Sequence, residues 1–153
     1  MQDIDCPWTG ISRLFWPADL ISLSAARETA AQHGWLPRTD AAFARTFLEH
    51  CVLLLLAPGD TACRVGDPPG GMFGLVRGNL GAIISRAERS PYVAHFPRPG
   101  TWFGEACAIT GQPRRVGLVA VRETALLYIP LPRILELLAA RPEWWRYLAL
   151  VTL

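Results

Sequence analysis

Gly100-Thr-Trp-Phe-Gly-Glu-Ala-Cys-Ala-Ile-Thr-Gly-Gln-Pro-Arg114 places one carboxylate, Glu105, nine residues before one guanidinium, Arg114, with a short glycine-bounded helix between them. Arg114 can offer a phosphate a fork of charge-assisted hydrogen bonds, and Glu105 can accept from a sugar hydroxyl. The helix would turn its free N-terminal amides toward an anion, and Gly104 would let backbone approach closely. Glu105 also has a purely structural role open to it, because a carboxylate in a first helical turn is stabilised by the helix dipole. Arg115 follows directly, at the mouth of an expected strand. Side chains alternate along a strand, so only one of the two arginines can enter a pocket, and both remain open to the ordinary fate of a surface charge.

Outward from this stretch the chain reads as short strands. From Val52 onward, apolar runs alternate with Gly, Pro and Asp clusters about every ten residues, the pattern of an all-β sandwich or barrel. The expected strands are 52–56, 61–65, 72–77, 80–85, 92–96, 101–102, 116–121 and 125–129. Turns fall at Pro58-Gly59-Asp60, Gly66 to Gly71, Gly78-Asn79 and Pro97 to Gly100, and the polar segment Ala87 to Pro91 suits a hairpin tip. Gly70-Gly71-Met72-Phe73-Gly74 precedes no helix and reads as hairpin chemistry.

Helical patterns flank the strands. Asp19 to His33 carries Leu20, Leu23, Arg27 and Ala30 on one period and stops at Gly34. Thr39 or Asp40 caps a second helix, whose Phe43, Phe47 and Cys51 share a face that would cover the barrel. Pro132 to Ala140 repeats Ile134, Leu135, Leu137 and Leu138 at helical spacing. Pro142 opens a last helix through Trp144, Trp145, Leu148, Val151 and Leu153, which stops uncapped, as in a shortened helix or a fragment. Trp144, Trp145 and Tyr147 can pack on Leu137 and Leu138 or stack on a purine, and Leu148 with Val151 makes an apolar edge suited to a symmetry mate. Residues 1–17 show no usable period, and their Trp8 and Trp16 would pin an irregular arm to the body.

Phe103-Gly104-Glu105, nine residues before Arg114, resembles the phosphate-binding cassette of cyclic-nucleotide-binding domains. The likeness continues without gaps through Val119-Ala120 and Ala125-Leu126-Leu127-Tyr128-Ile129, which favours Arg114 over Arg115. Upstream, Pro58-Gly59-Asp60, Gly66-Asp67-Pro68 and Val76-Arg77-Gly78 fit the family's barrel turns in order. The flanking helices fit the Crp/Fnr transcriptional regulators best.

The resemblance implies a mainly β fold with flanking helices, a double-stranded β-helix or jelly-roll barrel. It divides the chain into an N-terminal arm and helix, 1–40, and a barrel with terminal helices, 41–153. It implies a ligand site at Phe103, Gly104, Glu105, Ala106, Cys107, Arg114, Arg115 and Val116, where Glu105 holds the ribose 2'-hydroxyl and Arg114 the cyclic phosphate. The ligand would be cyclic AMP, cyclic GMP or another small anion, with no cofactor. A homodimer would form through the last helix, and DNA would be contacted only by a C-terminal helix-turn-helix domain missing from this chain. Arg115 and Val116 depart from the family, which prefers Ser, Thr or Ala and then Ala. A lost hydroxyl bond there would cost roughly 1 kcal/mol, about fivefold in affinity. The other function open to such a chain is a ligand-free module used for dimerisation or protein interaction.

Composition bounds these expectations. A 153-residue chain with 51% hydrophobic and 18% charged residues suits one well-buried domain, and its net charge of +2 is too small to predict nucleic-acid binding by itself. The four cysteines, Cys6, Cys51, Cys63 and Cys107, form no Cys-x-x-Cys pair and read as buried free thiols in a reducing cytoplasm, Cys107 reporting on redox state if exposed. His33, His50 and His95 stand apart, which argues against a metal site and a barrel enzyme. The N-terminus lacks a signal-peptide pattern, and Val52 to Ala57 is far too short to span a membrane.

Overall fold

The computed structural model describes residues 21–86, 89–96 and 98–152. The expected arm, Asp19 and Leu20 at the start of the first helix, and the tip residues 87 and 88 lie outside the described residues.

Two antiparallel four-stranded sheets face each other. One has the order β1 (Val52–Leu56), β8 (Thr124–Ile129), β3 (Met72–Arg77), β6 (Trp102–Phe103). The other has the order β2 (Thr61–Cys63), β7 (Gly117–Ala120), β4 (Leu80–Arg86), β5 (Arg89–Phe96). This is the expected jelly roll, and all eight expected strands are present. β5 begins at Arg89, so the hairpin tip is shorter than the sequence suggested. The first sheet is buried on both sides, which explains its unbroken apolar runs. Leu56, Phe73, Leu75 and Leu126 point into the barrel. Their neighbours Met72, Val76, Ala125, Leu127 and Ile129 point to the helices.

The helices form one layer on that outer side. α1 (Leu23–Gln32) is capped by Ser22, whose Oγ accepts from the Ala25 amide at 3.0 Å. Its buried residues are Ala26 and Ala30, with Leu23 and Arg27 partly buried on the same face, so the expected pattern holds over its described residues and gains Ala26. Arg27 donates to the carbonyls of Glu49 and Cys51 at 3.0 and 3.1 Å, satisfying the end of the next helix. Gly34 stops α1 as expected, at φ 76°, and a Cβ there would overlap the Gly100 carbonyl, so the first helix rests on the start of the cassette stretch.

The cap of α2 (Ala41–Glu49) is Asp40, whose Oδ1 accepts from the Phe43 amide at 2.8 Å, while Thr39 donates to the Leu36 carbonyl at 2.7 Å. Phe43, Phe47 and Cys51 are buried on one face, as the four-residue spacing required. Phe43 sits at the hub, its ring centroid 5.6 Å from Trp35, 5.4 Å from Phe47, 5.3 Å from Trp144 and 4.9 Å from Tyr147.

The C-terminal region departs most from expectation. α4 (Leu131–Ala140) is present, with Ile134 and Leu138 buried and Leu135 exposed. The single last helix is not. Pro142–Trp144 forms a 3-10 turn, α5 covers only Trp145–Ala149, and a second 3-10 turn covers Leu150–Thr152. Trp144 and Tyr147, three residues apart, both pack on Phe43, so the core-packing role holds for these two rings, with Phe43 as a partner the sequence did not suggest. Leu148 is 0% exposed, so it cannot join Val151 in the expected dimer edge.

Candidate anion-binding site

The site lies where the β2–β3 loop, the α3 helix (Glu105–Thr110) and the segment before β7 converge. Gly104 precedes α3 in the left-handed region at φ 104°, and Gly111 ends the helix at φ 65°, its amide donating to the Cys107 carbonyl at 2.9 Å. The amides of Cys107 and Ala108 return to the Gly104 carbonyl at 3.2 and 3.4 Å. Those of Glu105 and Ala106 take no backbone acceptor among the described residues.

Arg114 is clamped at its backbone and buried at its head. Its amide donates to the Asp67 carbonyl and its carbonyl accepts from the Gly66 amide, both at 2.8 Å. The residue is 7% exposed; Nη2 donates to the Gly71 carbonyl at 2.7 Å, and the guanidinium lies 5.2 Å from the Phe73 ring centroid. Three glycines cradle it. A Cβ on Gly70 would come within 2.5 Å of Nη2, one on Gly104 within 2.6 Å of Nη1, and Gly71 supplies the acceptor. Nη1 therefore reaches the residue that precedes Glu105.

Arg115 is exposed, so the two arginines do point opposite ways, although the bend before β7 and not a strand separates them. Glu105 is partly buried and makes no side-chain hydrogen bond among the described residues. Phe103 is partly buried and meets Phe96 edge-on at 5.0 Å. Ala106 is exposed, while Cys107 is buried and closed to the redox role that exposure would have allowed. Val116 is partly buried against the barrel interior, and its carbonyl accepts from Cys63 Sγ at 3.6 Å. Burial pushes the Cys63 thiol up, against the pull of the Arg114 guanidinium. The barrel is packed with leucines around Leu56, Leu80 and Leu118, whereas Phe103, Val116 and Tyr128 are only partly buried.

Several contributors were missed in the sequence. The sequence around Gly70 and Gly71 reads as turn chemistry, yet neither has a positive φ; what they supply is room for Arg114 and for the end of β8. Phe73 and Tyr128, paired in register with ring centroids 4.8 Å apart, looked like ordinary strand residues. A glycine pair next to a strand was the only available signal, and sequence does not say what fills the space a glycine leaves.

The chemistry on hand is recognition of an anion by a guanidinium and free amides. Among the described residues no group of three or more His, Cys, Asp and Glu can hold a metal ion. His33 and His50 are each bonded through Nδ1 to a carbonyl of their own helix at 2.8 Å. No described helix is long and apolar enough to cross a membrane.

Residues 53–141 match the sequence pattern of the family described as "Cyclic nucleotide-binding domain". The chain belongs to that family. Known structures share the fold of this cyclic nucleotide-binding domain at low sequence identity. One is a Ruegeria pomeroyi protein assigned as cyclic nucleotide-binding, with 20% identity and TM-score 0.74 over 86% of this chain and 58% of that one. A second is the catabolite activator protein of Thermus thermophilus, with 21% identity and TM-score 0.65 over 75% and 54%. A third is the regulatory domain of Toxoplasma gondii PKA, crystallised with cAMP, with 16% identity and TM-score 0.71 over 85% and 48%. The chain thus spans less than two thirds of each. No curated protein matches it by sequence. The cyclic nucleotide-binding domain match runs from β1 through α4, so it contains the whole guanidinium site.

Proposed function

We propose that this domain is the ligand-sensing part of a Crp/Fnr-like bacterial regulator, that it binds cyclic AMP or cyclic GMP at Arg114 and Glu105, and that it relays binding through the helices from Leu131 onward. The observation that carries this is the buried Arg114 head, seated in glycines at the N-terminal end of the Glu105 helix. A guanidinium has five N–H donors. One is used on Gly71, which leaves donors beside Gly104 for a phosphate. The free amides of Glu105 and Ala106 add to them, and the Glu105 carboxylate is available to a ribose hydroxyl. Arg115, whose bulk would crowd a phosphate, is turned to solvent, which supports the site despite its departure from the family. Such a sensor has no catalytic role. The domain works in the cytoplasm as a homodimer, and DNA is contacted by another domain of a longer protein.

Titration calorimetry with cyclic AMP and cyclic GMP tests the proposal. Binding that Arg114→Ala weakens by about 1.5–3 kcal/mol, about 10- to 150-fold, is the expected result. No heat at millimolar nucleotide would select the second reading, a ligand-free module for dimerisation or protein interaction. That alternative is favoured by the Gly71 carbonyl and the Phe73 face, which already give the guanidinium partners.

A further inference from the structure

The Gly71 peptide is tied on both sides. Its carbonyl accepts from Arg114 Nη2 at 2.7 Å, and its amide donates to the Tyr128 hydroxyl at 3.3 Å. It also has no slack. A Cβ there would overlap the Ile129 carbonyl and come within 2.9 Å of the Pro130 Cα, so the Gly71 backbone lies directly against the end of β8. Pro130 is the N-cap of α4, has no side-chain cap, and supplies the carbonyl that accepts from the Ile134 amide at 3.2 Å. One glycine therefore touches both the guanidinium and the first turn of the helix that leads to α5.

We infer that Gly71 couples the anion site to the C-terminal helices: its carbonyl oxygen holds Arg114 Nη2, an anion bound to the donors beside Gly104 draws the guanidinium off it, and losing that donor shifts its peptide against the Ile129–Pro130 junction. The inference rests on the reading of Arg114 as the anion-binding residue. Attraction between two ionised groups is stronger than that of a guanidinium for a neutral carbonyl, so an anion on the remaining N–H groups draws the head toward itself and away from Gly71. Gly71 is buried, and a buried carbonyl stripped of its partner is unfavourable, so the peptide must turn toward another donor. Close packing then passes the displacement to Pro130, because the backbones already touch. Tyr128 acts as the positioning residue, holding the amide side of the same peptide.

Gly70→Ala breaks the latch without breaking the backbone. Gly70 has no positive φ, and the three heavy atoms nearest its Cβ position all belong to the flexible Arg114 side chain, with Nη2 nearest at 2.5 Å. Amide hydrogen exchange on the full 153-residue chain, read by NMR, compares wild type, Gly70→Ala and Arg114→Ala. Both variants should speed exchange at the Ile134 amide about tenfold, the factor that accompanies loss of one hydrogen bond from a charged donor. The Val121 amide, bonded to Asn79 at the far end of the barrel at 3.0 Å, should keep its wild-type rate. A wild-type rate at Ile134 in either variant overturns the inference. So does equal acceleration at Val121, which would report general loss of stability. The measurement needs no ligand: a silent titration with cyclic AMP and cyclic GMP would remove the nucleotide and leave the coupling standing, and heat on titration with unchanged exchange would do the reverse.

Discussion

Phe43→Ala should unseat the C-terminal helices from the rest of the molecule. Phe43 is 1% exposed and lies within 6 Å, centroid to centroid, of Trp35, Phe47, Trp144 and Tyr147, the last two belonging to the terminal turns. Truncating a buried Phe to Ala costs about 3–5 kcal/mol, and each lost edge-on or tilted ring pair adds about 0.5–1.5 kcal/mol beyond buried area, which places this site at the upper end. A loss of about 4 kcal/mol is a large part of the 5–15 kcal/mol typical of a domain and lowers the melting temperature by about 10 °C at this chain length. Urea unfolding followed in parallel by tryptophan fluorescence and by far-ultraviolet circular dichroism measures it. The fluorescence transition should move to lower urea at least as far as the dichroism transition, because Trp144 loses the aromatic ring it packs against. Trp145→Ala, at a ring 40% exposed, serves as the control and should change stability by no more than about 0.5 kcal/mol. A Phe43→Ala loss under about 1 kcal/mol would refute the hub role and with it the account of how the terminal turns are held.

Two pH-linked outcomes follow from the same packing. Burial pushes the Cys51 thiol from 9.0 up to about 12. The folded state thus holds that proton more tightly than the unfolded chain, and its contribution to stability is present below pH 9.0 and declines as pH rises toward 12. Peptide mapping after iodoacetamide treatment at pH 8 should find Cys51 unlabelled in the native protein and labelled in urea; native labelling at the rate of a free thiol would contradict the burial. The Phe43 amide, and more weakly the Tyr147 hydroxyl, hold the Asp40 carboxyl below 3.8. Its contribution is present above pH 3.8 and is lost as pH falls through the lowered value. Asp40→Asn should unfold at lower urea than wild type at pH 5 and at the same urea near pH 2, and a gap that stays constant across that range would sink the assignment.

The architecture was written locally. Runs such as Val52 to Leu56 and Thr124 to Ile129, separated by Gly, Pro and Asp, can only pair as short strands, and Phe43, Phe47 and Cys51 at every fourth position can only share a helical face. The cassette glycines were equally legible, because Gly104 and Gly111 meet a positive φ that other residues resist. What the chain could not announce was any contact made across it. Gly70-Gly71 and Gly104 come from separate segments yet enclose one guanidinium, Gly34 meets Gly100, and Phe43 meets Trp144 about a hundred residues away. Local sequence sets backbone preference and periodicity, whereas the partner of a buried side chain depends on how whole sheets and helices stack. For the same reason the last helix broke into turns: propensity allowed one helix, but seating Trp144, Tyr147 and Leu148 against α2 and the outer face of the first sheet required another course.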